Sequence, residues 1–144
     1  MKEEDLSEVM AIEKMSYPNP WPEPSFRGEM GNRPFSNAYV IVERSKRKII
    51  GYVLFWKVEE EAQITNIAVH PDYRRRGIAR YMLNDILRQI HDQGANYVIL
   101  EVRPSNLAAR MLYNKLGFKV LGIRKKYYRL PEEDALIMGK RLSQ

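Results

Sequence analysis

Three groups of residues in this chain have the types and spacing to do chemistry. The first is Val69-His70-Pro71-Asp72-Tyr73-Arg74-Arg75-Arg76-Gly77-Ile78-Ala79-Arg80, a turn of three arginines and a glycine between an apolar run, Ile64 to Val69, and an amphipathic stretch. Successive backbone N–H groups at the start of a helix point one way, and the helix dipole adds partial positive charge, so the geometry calls for a phosphate or pyrophosphate. Gly77 allows close approach of the backbone. Neither G-x-x-x-x-G-K-S/T nor G-x-G-x-x-G is present, so this is not a standard nucleotide loop. A basic, solvated helix start is the alternative.

The second is Glu101, which interrupts the strand-like run Tyr97-Val98-Ile99-Leu100-Glu101-Val102. Alternation places it on the face shared by Tyr97 and Ile99, near the C-terminal end of the strand, where ligands bind in open α/β sheets. Partial burial raises the pKa of a carboxylate and suits it to general-base work. An ion pair with Arg103 or a nearby lysine is the competing reading. The third group is Asn106 and Tyr113, two helical turns apart and so on one face, with Arg110 between them. Asn106 reads as a helix N-cap and Tyr113 as an aromatic at the core edge, or both face the arginine turn and hold its ligand.

Other chemistries are poorly served. The chain has no cysteine and two histidines, His70 and His91. This excludes disulfides, thiolate metal sites and a cysteine nucleophile, and no acidic spacing resembles a metal-ligand set. No serine–histidine–aspartate set is present.

The elements that must position these groups follow from periodicity. Asp5-Leu6-Ser7-Glu8 reads as a capping box opening a helix that ends near Ser16. Tyr17-Pro18-Asn19-Pro20-Trp21-Pro22-Glu23-Pro24 cannot be helical, because alternate prolines remove donors and push their neighbours to extended conformations. Ser25 to Met30 forms a short second helix. Tyr17, Trp21 and Phe26 are either a hydrophobic plug on the core or the lining of an acceptor groove. Ala38 to Glu43, Ile49 to Val58 and Glu61 to Val69 read as three antiparallel strands. The basic link Arg44-Ser45-Lys46-Arg47-Lys48 reads as a solvated hairpin turn with the composition of an RNA or nuclear-localisation patch.

After the arginine turn, Ile78, Met82, Leu83, Ile86, Leu87 and Ile90 mark a helix stopped by Gly94. The crossover to Tyr97–Val102 implies a parallel strand pair. A last helix runs to about Leu116 with Gly117 at its end, followed by strands at Phe118 to Ile123 and Asp134 to Lys140. The expected fold is mixed α/β: a single twisted, mostly antiparallel sheet with a central parallel pair and helices on both faces.

At 144 residues the chain is the size of one domain. Its net charge of +6 favours anionic partners. The absence of a long apolar run or signal-like start makes a cytoplasmic protein, monomeric by default, the expectation.

R-R-R-G-I-A as an instance of Q/R-x-x-G-x-G/A between a strand and a helix, followed by N-L-A-A-R-M-L-Y-N-K-L-G-F, resembles the GCN5-related N-acetyltransferases. I-A-V-H-P-D-Y-R-R-R-G-I-A, L-E-V-R-P-S-N and the late Y-Y…E-D-A-L-I-M look closer still to the RimI-type ribosomal-protein alanine acetyltransferases within that family. The resemblance implies acetyl-CoA as cosubstrate, no metal, and the N-terminal α-amine of a ribosomal protein as acceptor, with no nucleic acid or membrane required. It implies that backbone groups of Ile67, Ala68 and Val69 bind the acetyl and pantetheine end, that Arg74 to Arg80 hold the pyrophosphate, and that Asn106 hydrogen-bonds the cosubstrate. Glu101 would be the general base and Tyr113 the general acid, with acceptor contacts at Trp21, Phe26, Tyr127 and Tyr128. The family's usual first strand has little room, since only Met1 to Glu4 precede the first helix. An α-amine, with a reference pKa of about 8, is neutral near pH 7 far more often than a lysine near 10.4, which also favours a protein N-terminus as acceptor. Other N-termini, lysines or small amines remain alternative acceptors, and a non-catalytic RNA- or CoA-binding module is the non-enzyme alternative.

Overall fold

The computed structural model describes residues 1–31, 33–129 and 131–142. Six strands form one sheet: β1 (Ser36–Glu43), β2 (Lys48–Val58), β3 (Glu61–Val69), β4 (Tyr97–Val102), β5 (Lys119–Tyr128) and β6 (Glu133–Arg141). Their order is β1-β2-β3-β4-β6-β5, antiparallel throughout except for the β3–β4 pair. Helices α1 (Leu6–Ser16) and α2 (Glu23–Met30) lie on one face, and α3 (Ile78–Asp92) and α4 (Leu107–Lys115) on the other. Among the described residues no strand precedes α1. The Met1 amine instead donates to the Ala38 carbonyl of β1 at 2.9 Å.

Burial follows the sequence pattern. Ile49 through Phe55 are buried without a break, as expected of a strand covered on both faces. One core joins Met82, Leu83, Ile86, Leu87 and Ile90 of α3 to Val98, Leu100 and Val102 of β4. The other packs Leu6, Val9 and Ile12 of α1 and Phe26 of α2 on Tyr52, Leu54 and Ala68. Each fully buried aliphatic or aromatic side chain contributes about 1.5–3 kcal/mol.

Two features of β3 open the sheet at the site. In the β2–β3 ladder Leu54 opposes Asn66 while Phe55 opposes Ile64, so Thr65 is an extra residue in β3, a β-bulge. Ala62 and Ile64 before it, and Ile67 and Val69 after it, therefore face the same α3/α4 core, which strict alternation forbids. The parallel pairing of β3 with β4 also stops there, at Ile64↔Leu100. Beyond this point the two strands diverge and leave a gap in the middle of the sheet.

Several local expectations need correction. The capping box does not form: the Asp5 carboxylate accepts from the Lys2 N–H at 2.7 Å, and Glu8 accepts from the N–H of Ile49 on β2 at 3.1 Å, because tertiary partners compete with the local one. Helix α2 starts at Glu23, with Pro24 tolerated in a first turn whose N–H groups need no helical partner. β5 runs on to Tyr128, well past Ile123: as an edge strand it carries the charged run Arg124-Lys125-Lys126 in solvent, bulging between Arg124↔Ala135 and Tyr128↔Glu133 before its pairing to β6 resumes.

Candidate active site

The gap between β3 and β4 is the mouth of a cavity of about 740 Å³. In an antiparallel ladder each residue directs its N–H and C=O to the same side. The N–H of His70 goes to Ile50 on β2 at 2.8 Å. The carbonyls of Ile67 and Val69 turn the other way: that of Ile67 takes the Tyr17 hydroxyl, and that of Val69 takes Arg74 Nε at 3.0 Å. The N–H groups of Ile67 and Val69 accordingly point into the gap. Ala68 is not at the gap; its backbone faces β2 and its side chain lies in the α1/α2 core.

The cavity reaches both faces of the sheet. Alternation sends Val98, Leu100 and Val102 into the α3/α4 core and Glu101 to the opposite face. The Glu101 side chain is 13% exposed, and its Oε2 pairs with Arg124 at 3.0 Å. The expected partner, Arg103, is instead held by Glu133 at 3.3 Å and by the carbonyls of Pro131 and Arg129, and it stacks on Tyr128. Arg124 reaches Glu101 because β4 and β5 flank β6, a cross-strand relation that near-neighbour spacing does not reveal.

Tyr113 comes from the α4 side and packs against Phe118 with ring centroids 5.8 Å apart. Its hydroxyl has no hydrogen-bond partner among the described residues, and burial pushes its pKa up to about 12. Asn106 caps α4, its Oδ1 accepting from the Ala109 N–H at 3.2 Å, which leaves its Nδ2 for the cavity. The hydroxyls of Tyr17 and Tyr128 are also pushed well up, burial being the main cause in each case. Tyr127 is raised first by burial and then by the Glu101 carboxylate. The cavity is thus ringed by neutral phenols that can donate at ordinary pH.

Trp21, Tyr127 and Tyr128 line the cavity, as do Tyr17, Trp56 and Asn66. Glu13 fixes Trp21: this buried carboxylate accepts the Trp21 N–H at 2.9 Å and the Tyr52 hydroxyl. Phe26 is not in the groove. It is fully buried between Trp21 and Tyr52, because α2 turns it inward, so it can support the wall but not touch an acceptor. Trp56, Asn66 and Arg124 escape sequence reading: each looks like an ordinary strand residue until the bulge and the strand order bring it here.

The arginine turn lies at the end of β3. Gly77 has φ +75° and serves as N-cap of α3. The N–H groups from Arg75 to Arg80 have no acceptor among the described residues, while Tyr81 N–H is the first to find one, the Gly77 carbonyl at 3.0 Å. A Cβ built on Gly77 would meet nothing within 4 Å, so open space lies over these donors. Arg74 is the exception among the arginines, since its guanidinium is spent on Val69 and on Ser16 Oγ at 2.9 Å.

A sheet split at a bulge, unpaired N–H groups in the split, and a row of free donors at the next helix make up a cleft that fits an extended acyl thioester with a diphosphate tail. The chain belongs to the acetyltransferase (GNAT) family, whose profile matches residues 6–118. It is an acetyl-CoA-dependent N-acetyltransferase. It is 38% identical to a Bacillus subtilis (strain 168) relative over 138 residues, 96% of this chain and 90% of that one. It is 36% identical over 141 residues to the ribosomal protein bS18-alanine N-acetyltransferase of Salmonella typhimurium, covering 96% and 93% of the two chains. Among solved structures, the ribosomal-protein-S18-alanine N-acetyltransferase from Escherichia coli superposes with a TM-score of 0.89 at 33% identity, over 100% of this chain and 92% of that chain. Among the described residues no helix is long and apolar enough to cross a membrane.

Proposed function

We propose that this chain transfers the acetyl group of acetyl-CoA to the N-terminal α-amine of ribosomal protein bS18, an alanine, by direct attack in a ternary complex. The observation that carries the reading is that one cavity is lined by Glu101 from one face of the sheet, by Tyr113 from the other, and by Ile67, whose N–H points into the gap. The names borne by relatives about 36% identical supply the acceptor.

The α-amine enters past Trp21, Tyr127 and Tyr128 and gives a proton to Glu101, whose Oε2 is held by Arg124 and whose Oε1 has Gln63 Nε2 at 3.5 Å, across the cavity wall. Its nitrogen attacks the thioester carbonyl while the N–H groups at Ile67 and Val69 face the negative charge that grows on oxygen. The C–S bond breaks, the Tyr113 hydroxyl protonates the departing sulfur, and the extra proton on the new amide nitrogen leaves through water to restore the Tyr113 phenol. The chain has no cysteine to carry an acetyl group, so the amine attacks the thioester itself.

Intact-mass analysis of an alanine-starting peptide incubated with acetyl-CoA tests this. The expected result is a gain of one acetyl group, absent when the terminus is blocked. Acetylation confined to internal lysines would overturn the acceptor assignment.

The donors of the arginine turn also rank its residues. A valine at Gly77 must hold φ +75°, which costs a β-branched residue about 1–2 kcal/mol, and it would fill the open space above the free N–H groups. The KM for acetyl-CoA should rise tenfold or more in Gly77→Val and only about twofold in Arg74→Ala. The opposite ranking would mean that side chains rather than backbone hold the diphosphate.

A further inference from the structure

The β1–β2 turn, Arg44-Ser45-Lys46-Arg47-Lys48, has no part in acetyl transfer, yet it does not stand alone. The β3 end and the β2 start are joined by Gly51↔Val69 pairing and by the His70 N–H to Ile50 carbonyl bond at 2.8 Å. Tyr73 then collects a cation from each turn: Lys48 Nζ lies 5.8 Å from its ring centroid and Arg76 Cζ 5.1 Å. The two turns therefore form one basic surface carrying Arg44, Lys46, Arg47, Lys48, Arg75 and Arg76.

The carboxylates nearby do not neutralise it. Glu43 accepts from the Ser45 N–H and hydroxyl, both at 2.6 Å, and so is spent on shaping the turn. Glu8 takes the N–H of Ile49, and Asp72 faces His70 at 3.9 Å. Among the described residues none of the six cations lies in an ion pair with a carboxylate.

We propose that this surface binds RNA through its phosphate backbone. The residues 44–48 and 74–77 include no apolar side chain, so there is nothing to anchor a peptide or a bilayer, and the ligand must itself be held by charge. Arginine forks suit phosphate oxygens. The three phosphates of coenzyme A account for the α3 side of the surface, whereas the β1–β2 turn belongs to a separate hairpin. The inference goes beyond acetyl transfer and does not depend on the acceptor's identity.

Fluorescence anisotropy of the whole protein with a labelled single-stranded RNA of about 20 nucleotides, at about 50 to 200 mM KCl, tests it. With no acetyl-CoA present to occupy the α3 side, the slope of log affinity against log salt should be about −4 for six contacts. The triple variant Arg44→Gln, Lys46→Gln, Arg47→Gln should bind about tenfold or more weakly with a slope shallower by about 2, while acetylating peptide at the wild-type rate. Three results would overturn the proposal: no RNA binding by the wild type at the lower salt, an unchanged slope in the triple variant, or poly-glutamate of equal charge binding as tightly as RNA. Loss of peptide acetylation with RNA binding intact would count against the proposed function alone.

Discussion

Replacing Tyr113 with Phe should lower kcat by about 10²–10⁴-fold, the usual range for removal of a general acid, while leaving the KM for both substrates within about twofold. The ring stays packed on Phe118, and the lost hydroxyl has no partner among the described residues to strand. The rate deficit is therefore expected without a folding deficit. Burial pushes the Tyr113 pKa up to about 12, so the proton is in place throughout the working range and the variant's pH optimum should not move. The stability difference follows the same sign. Below about 10, folded and unfolded chains both hold this proton. Above it the unfolded chain releases the proton first, so wild-type stability falls progressively up to about 12, a loss the phenylalanine variant escapes. Steady-state kinetics with thermal unfolding at neutral and alkaline pH measure both parts. A kcat within about twofold of wild type would remove Tyr113 from the chemistry.

Glu101→Gln is expected to cost about 10²–10⁴-fold in kcat/KM for the acceptor near neutral pH. Glutamine is nearly isosteric, and its carbonyl oxygen can still accept from Arg124, so the cavity wall keeps its shape. What disappears is the acceptor of the amine proton. Proton removal then falls to water and the acceptor must also arrive neutral, so the variant's rate should climb about tenfold per pH unit until it levels near pH 8, where the α-amine titrates. A pH–rate profile on an alanine-starting peptide reads this directly. If the variant's deficit stayed constant across the amine titration, or the loss were no larger than for Gln63→Ala at the neighbouring wall, Glu101 would be a partner of Arg124 rather than a base.

The sequence made the scaffold of this site largely legible and its detail only in part. The β3–turn–α3 unit could be read because its signals are local: β-branched residues, a glycine with positive φ, and apolar positions three and four apart. Gly94, at φ +100°, ends the helix region as its position implied, and Asn106 is an N-cap. Glu101 stood out because a carboxylate breaks an apolar alternation. The bulge at Thr65 left no comparable trace, since no residue type is obligatory there, yet it decides which backbone groups face the gap and removes Ala68 from it. Phe26 and Trp21 are five residues apart and alike in composition, and only the direction of α2 sends one to the core and leaves the other at the wall. Arg124 had no local signal either, because its partner is two strands away in the sheet.

The short β3–β4 ladder gives the molecule an unusual internal seam. Among the described residues the ladder between the β1-β2-β3 and β4-β6-β5 halves of the sheet is four residue pairs, Glu61↔Tyr97 to Ile64↔Leu100, and the α3/α4 core packs across it. Amide exchange should find its weakest strand protection where that ladder ends. A thioester lying in the gap would bond to β3 on one side and abut α4 on the other, and so would brace the two halves against each other. Loading would then add about 2.7 kcal/mol to the stability of the whole fold at a hundredfold excess over Kd, and the seam would be tied from both sides.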